Sequence, residues 1–399
     1  MTEKPTHTRE QIEAAFNAAD DAFWDDRTII FGSESEKKRK LFEHVKRLSK
    51  AWDRSGLCMY RGCTEPSIRR SHTIHRAGSL ERIAEDQHVL TPLLDSRGQM
   101  KMERIGVNLA STFPGFCVEH EQLFSEFETA GSISSVRHVA LQAYRTLCRE
   151  IARKHLLIRG LEPLLDQYRK AREDHYATAI QNRLPGAKVK SLSVKGDSME
   201  KWLVAELKGA KAGLAELRGE LHDQLFDYIS GQSQEPSLQA LSIPFEVPVS
   251  LSGLGVLTYR RKDEKQTRRA LCLIGILPHE GSTVAFIGAA RRHADIVDAY
   301  SSGMVDGFNG LSAMESWMTN GSDHWFIRPS SWTAIPDHRQ EKVLALLMSE
   351  DDNIGTMLDF SILDETRRAI IAVINEHIDE APDRAEVLAM VSRESAKMT

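Results

Sequence analysis

Leu57-Cys58-Met59-Tyr60-Arg61-Gly62-Cys63 opens a segment that closes, about fifty-three residues after Cys63, with Phe116-Cys117-Val118-Glu119-His120. Two soft-ligand pairs bracketing a stretch of that length have the layout of a four-ligand zinc site. A tetrahedral Zn2+ takes four Cys or His ligands, and two ligands a few residues apart wrap one side of the ion without strain. Gly62 suits the tight turn in which the backbone closes on the Cys63 sulfur. Cys117 and His120 stand three apart where Glu121-Gln-Leu-Phe-Ser-Glu-Phe-Glu128 has helical spacing, so one ion can reach both. Between the pairs, Ser67-Ile-Arg-Arg-Ser-His-Thr-Ile-His75 alternates as a strand does, with Ile68, His72 and Ile74 on one side. Spacing favours His120 as the fourth ligand, with His72 and His75 as alternatives. The competing reading is that these cysteines are small buried hydrophobes.

The order of Cys58-x4-Cys63, Arg70-Ser-His-Thr-Ile74, Gly106-Val-Asn108 and Cys117-x2-His120-Glu121-x-Leu-Phe124 resembles a divergent HNH (ββα-metal) module of the treble-clef type. That fold is common in bacterial nucleases and phage-defence proteins, and the resemblance covers about seventy residues. It implies His72 as general base for water attack on phosphate, Asn108 as the middle asparagine, and Glu121 where the family has its last histidine. It also implies a catalytic divalent ion, Mg2+ or Mn2+, apart from the structural Zn2+. Two departures bear on the chemistry. Ser71 occupies the place where many members carry a metal-binding Asp or His, and the loop from strand to helix is longer than in compact members. Glu121 can still offer hard oxygen to magnesium. Three functions follow: a zinc-binding protein that engages nucleic acid in bacterial anti-phage defence, an active metal-dependent HNH endonuclease, or a structural zinc protein acting in assembly.

At 399 residues the chain is long enough for two or three domains, and 41% hydrophobic with 27% charged residues is ordinary for a soluble globular protein. No apolar run approaches membrane-spanning length, and Met1-Thr-Glu-Lys-Pro lacks a signal-peptide core, so the expected location is cytoplasmic, with no membrane partner. Five cysteines, an odd number, fit a reducing compartment better than a disulfide framework. A net charge of −5 argues against indiscriminate coating of nucleic acid. Distribution can override the total. Arg54, Arg61, Arg69, Arg70, Arg76 and Arg82 crowd the ligand-bearing stretch, either as a rim for DNA or RNA phosphates or as an ordinary solvated face.

The whole reads as an α+β protein: a small treble-clef zinc module flanked by helices, a long helical middle section and a C-terminal α+β domain. Residues 1–53 form a helical collar, with Thr8 capping a helix that carries Ile12, Phe16 and Phe23, and a second helix after Gly32 carrying Leu41 to Trp52. Residues 54–130 are the zinc module. In the helical region 131–230, Leu141, Tyr144, Leu147, Cys148, Ile151 and His155 track one face, and Arg145, Arg149, Arg153 and Arg159 read as a basic ridge, an ordinary solvent-facing stripe in preference to one that meets nucleic acid. Pro163 opens a new helix there, and Leu184-Pro-Gly ends it. From Ser198 to Ile229 a near-heptad stripe suits either homo-oligomerisation or folding back on its own domain. In the C-terminal domain, 238–399, residues 243–249, 255–259, 270–277, 283–288 and 323–329 are expected as strands. The tail from Asp383 is expected to fray. His279, His293, Asp323 and His324 match no metal or triad spacing, and no phosphate-loop motif is present.

Overall fold

The computed structural model describes residues 7–25, 52, 56–95, 99–186, 198–260, 265–349, 351–380 and 382–399. Of the helix expected after Gly32, all but Trp52 lies outside the described residues. The chain forms two compact units, one from segments 1–52 and 153–215 and the other from 53–152 and 216–399. The long helix Val136–Arg183 contributes to both. Among the described residues no helix is long and apolar enough to cross a membrane.

In the smaller unit the helix Arg9–Asp25 starts on a reciprocal cap. The Gln11 amide donates to Thr8 Oγ1 (3.2 Å) and the Thr8 amide to Gln11 Oε1 (3.0 Å). Phe16, Ala19 and Phe23 pack on Tyr176, and Ala15 on Ile180 and Leu184. Pro163 does not open a helix; it lies inside one continuous helix. An internal proline costs roughly 3 kcal/mol in lost hydrogen bonding and steric clash. Packing on either side of it offsets that cost: the helix Ser198–Leu217 folds back and sets Leu203 and Leu207 against Leu161, Leu164, Leu165 and Tyr168. Glu200 takes ion pairs from Arg169 (2.8 Å) and Arg172 (2.6 Å) across the same seam.

Among its described residues the larger unit holds two antiparallel sheets. In the small one β1 (Ser71–His72) pairs with β4 (Thr112–Phe113), Ser71 opposite Phe113. The large one has seven strands in the order β3-β2-β9-β6-β7-β8-β5. They are β2 (His88–Leu94), β3 (Met100–Gly106), β5 (Leu238–Ile243), β6 (Val249–Tyr259), β7 (Arg268–His279), β8 (Ser282–Ala289) and β9 (Trp325–Ile327). Segments 54–130 and 238–399, expected as separate domains, thus share one sheet. The expected strand 243–249 is instead the break between β5 and β6, because Pro244 and Pro248 have no amide hydrogen to give a ladder. The expected strand 67–75 shortens to β1. Beyond it, His75 accepts from the Gly78 amide at 3.1 Å and caps a π-helical turn, Arg76–Leu80.

One face of the large sheet packs Leu251, Ile274 and Ile276 against Leu311, Met314 and Trp317. These last three come from the helix Gly307–Ser316 and the π-helical turn after it. The long helix and the helix Glu220–Ile229 also reach the sheet. Thr146 and Ser252 share a buried hydroxyl hydrogen bond of 2.7 Å, and Gln224 donates to the Ala289 carbonyl at 2.6 Å. The C-terminal tail does not fray. Arg384–Ala396 is a helix whose buried Glu394 pairs with Arg367, itself fully buried against Glu315 at 2.7 Å. A charged tail becomes ordered here because its charges have buried partners.

Candidate metal centre

The knuckle is built by its backbone. Leu57 bridges to Pro66, the Cys58 amide donates to the Glu65 carbonyl (2.8 Å), and the Cys63 amide to the Tyr60 carbonyl (3.0 Å). Gly62 turns the corner at φ +83°, a region in which a side chain would be strained. Two further bonds stitch the knuckle to the segment before the second pair: Met59 amide to Gly115 carbonyl (2.9 Å) and Ile68 amide to Phe116 carbonyl (2.7 Å). Cys117 is the N-cap residue of the short helix Val118–Glu121, so its sulfur and the His120 ring lie on one side of that first turn.

The three sulfurs of Cys58, Cys63 and Cys117 and one ring nitrogen of His120 lie within 4.8 Å of one another. Cys117 Sγ is 3.2 Å and Cys58 Sγ 3.6 Å from His120 Nδ1, and Cys63 Sγ is 4.0 Å from Cys117 Sγ. A tetrahedral ion with ligands at about 2.3 Å has edges of roughly 3.8 Å, so the four atoms fit an ion such as zinc. Burial pushes the Cys58 thiol up to about 12. Cys117 is also penalised by burial, but the His120 and Glu119 amides and the neighbouring thiols outweigh that and lower it. A divalent cation would favour the thiolate at both. Tyr60 stacks on the His120 ring at 4.0 Å, and Tyr144 of the long helix donates to the Met59 carbonyl at 3.3 Å. Of the three candidate histidines only His120 joins the group; His72 and His75 do not.

No family model, curated protein or solved structure matches this chain.

His72 pairs with Thr112 in β1, half-buried, and its Nε2 is buried without a hydrogen-bond partner among the described residues. Burial lowers its pKa below the ordinary 6.5, against the backbone of Val107, which raises it. Asn108 is exposed in the turn after β3, and its Oδ1 accepts from Arg76 at 2.7 Å. Glu121 ends the ligand helix with both oxygens engaged: Ser71 Oγ donates to Oε2 at 2.6 Å and Arg145 to Oε1 at 2.5 Å. Among the described residues no second group of three or more Cys, His, Asp or Glu side chains offers ligand atoms as close as the Cys3His set.

Arg145 was expected on a solvent-facing ridge and is instead 1% exposed. It bridges Glu121 and Glu128 (2.6 Å), with its guanidinium 4.1 Å over the Phe124 ring. A signal for this exists in the spacing, since Arg145 is four residues after Leu141 and three before Cys148, both on the apolar face. Of the C-terminal candidates, His293 Nδ1 lies 3.2 Å from the Tyr259 hydroxyl and His324 Nδ1 2.7 Å from the Ser252 carbonyl. His279, buried at the end of β7, has no hydrogen bond of ordinary geometry at either ring nitrogen among the described residues.

Proposed function

We propose that this chain is a zinc-stabilised, HNH-like protein of treble-clef type that binds nucleic acid without cleaving it, in bacterial defence against phage. The zinc would sit on Cys58, Cys63, Cys117 and His120, clasping the knuckle to the ligand helix. Arg69 and Arg70 carry the binding reading. Both are exposed, neither has an ion-pair or hydrogen-bond partner among the described residues, and they directly precede Ser71 and His72 of β1. Unpaired arginines beside a rigid strand are suited to phosphate, which accepts their forked donors.

Arg145 argues against hydrolysis. In the resembled family the helix position held here by Glu121 helps bind the catalytic ion. Here both oxygens of that carboxylate already accept hydrogen bonds, from a buried guanidinium and a serine hydroxyl. A divalent ion would have to displace both.

The test is fluorescence anisotropy of labelled DNA and RNA at several salt concentrations, with wild type beside R69E/R70E. Binding that weakens with salt, and a shallower slope for the variant, is expected, because each lost phosphate contact removes about 0.9 from the slope for duplex DNA. Salt-independent binding, or none, rejects the reading. One observation favours active cleavage instead: His72 Nε2 has no hydrogen-bond partner among the described residues, and burial lowers its pKa, keeping the imidazole in the neutral form that can accept a proton from water. Plasmid incubated with Mg2+ or Mn2+ beside His72→Ala separates the two; cleavage lost in the variant would establish the nuclease.

A further inference from the structure

Met100-Lys101-Met102-Glu103-Arg104-Ile105-Gly106 is the sequence of β3, and in the seven-stranded sheet β3 stands at an edge. Each of these residues is paired with β2 on one side, from Gly106 opposite His88 to Met100 opposite Leu94. On its other side, among the described residues, no strand pairs with it. Such an edge leaves a row of backbone amides and carbonyls facing outward, able to take a further strand. At the opposite edge β5 is uncharged from Leu238 to Ile243, whereas β3 carries Lys101, Glu103 and Arg104. Charges on an edge ordinarily repel another strand, and their signs and spacing decide whether they do so here.

Alternation sorts the strand into two faces. Met102 packs against the apolar core of the sheet, so Lys101 and Glu103 project from the opposite face. They pair with each other there and keep 50% and 41% of their side-chain surface. Leu93 of β2 lies opposite Lys101 on the same face, exposed, and with Glu103 and Ile105 these side chains line an open hollow at the edge. Two copies of β3 can continue the sheet across a two-fold axis perpendicular to it. Facing residues of an antiparallel pair lie on one face, so that axis passes through a residue and not between two. An axis through Lys101, Glu103 or Arg104 sets that charge against its own copy. An axis through Met102 sets Lys101 against Glu103 of the second copy, and Glu103 against its Lys101, over five facing residues from Met100 to Arg104. Opposite charges directly across a ladder are stabilising and like charges destabilising, so the strand is complementary to itself in that register.

We propose that β3 is a homodimerisation edge, at which a second copy of this chain adds its own β3 in antiparallel register centred on Met102. Ladder hydrogen bonds supply the attraction, and the two Lys101–Glu103 pairs between copies fix the register and exclude strands of other sequence. The sheet then runs unbroken through both copies, and the edge that each would expose alone is covered. The inference stands apart from the nucleic-acid reading and holds or fails without it.

The experiment is sedimentation equilibrium of the full chain over a range of micromolar concentrations, with each variant checked for an unchanged melting temperature. Wild type should associate to a dimer. K101E or E103K should weaken that dimer about tenfold or more, because each turns two favourable cross-strand pairs into two like-charge pairs. K101E/E103K, which exchanges the two charges, should restore wild-type association. An equal mixture of K101E and E103K should form a heterodimer tighter than either variant's homodimer, since its facing residues are again opposite in sign. Wild type that stays monomeric at every concentration, a dimer indifferent to both single variants, or a mixture no tighter than its components overturns the proposal.

Discussion

Replacing Arg145 with methionine should unfasten the long helix from the segment that carries the last two metal ligands. Its guanidinium is 1% exposed and donates to Glu121 at 2.5 Å and Glu128 at 2.6 Å while covering the Phe124 ring. Methionine fills similar space, so the loss is mainly electrostatic: two carboxylates held by one cation lose it together. Removing one member of a buried ionic set costs roughly 3–5 kcal/mol. Glu121 and Glu128 keep 22% and 24% of their side-chain surface, so water can recover part of that cost. A value of about 3 kcal/mol is therefore expected. At about 2–4 °C per kcal/mol for a unit of some hundreds of residues, the melting transition should fall by about 6–12 °C. The assay is thermal unfolding at saturating zinc, with metal release followed by a chromogenic chelator so that the larger unit is read separately from the smaller. Arg145→Lys should recover about half, because an ammonium can meet one carboxylate closely but not fork across two. The triple variant R145M/E121Q/E128Q should be more stable than R145M, since the stranded charges are gone. A shift below about 2 °C for R145M, or a triple variant no better than the single, would refute the bridging role.

Metal analysis of the purified chain should give close to one zinc per molecule, and Cys58→Ser or Cys117→Ser should lose both the metal and the folded knuckle, because binding and folding of such sites are coupled. Acidification should destabilise the larger unit. His72, His75 and His279 are all held below 6.5 by burial, so beneath that pH the unfolded chain binds more protons than the folded one. Stability is then full above about pH 6.5 and falls as pH drops towards the folded values; melting temperature against pH, with His279→Phe giving a shallower fall, checks the sign. At the C-terminus, Arg367→Met should cost about 3–5 kcal/mol by leaving Glu315 and Glu394 without the guanidinium they share, and R367M/E315Q/E394Q should recover part of it in chemical denaturation.

The metal cluster was legible because its constraints are short-range. Ligands that share a knuckle or one helical turn must lie a few residues apart, and Cys58 with Cys63 and Cys117 with His120 satisfy that before any tertiary contact is known. Helical periodicity likewise marked the cap at Thr8 and the apolar face of the long helix. Three things depended on long-range packing. Spacing favoured His120, but setting His72 and His75 aside required knowing that the knuckle pairs with Gly115 and Phe116, which brings the helix turn rather than the strand to the sulfurs. The burial of Arg145 required two carboxylates from another element, and a spacing rule that treats arginine as solvent-facing has no term for such partners. The sharing of one sheet by β2, β3 and the C-terminal strands came from ladder bonds between Leu90, Ile327 and Val249, residues more than a hundred and fifty positions apart in places. Local sequence sets which residues can ligate, turn or cap, because those geometries close within a few bonds; which charges are buried and which strands are neighbours is decided by contacts that exist only once the chain has folded.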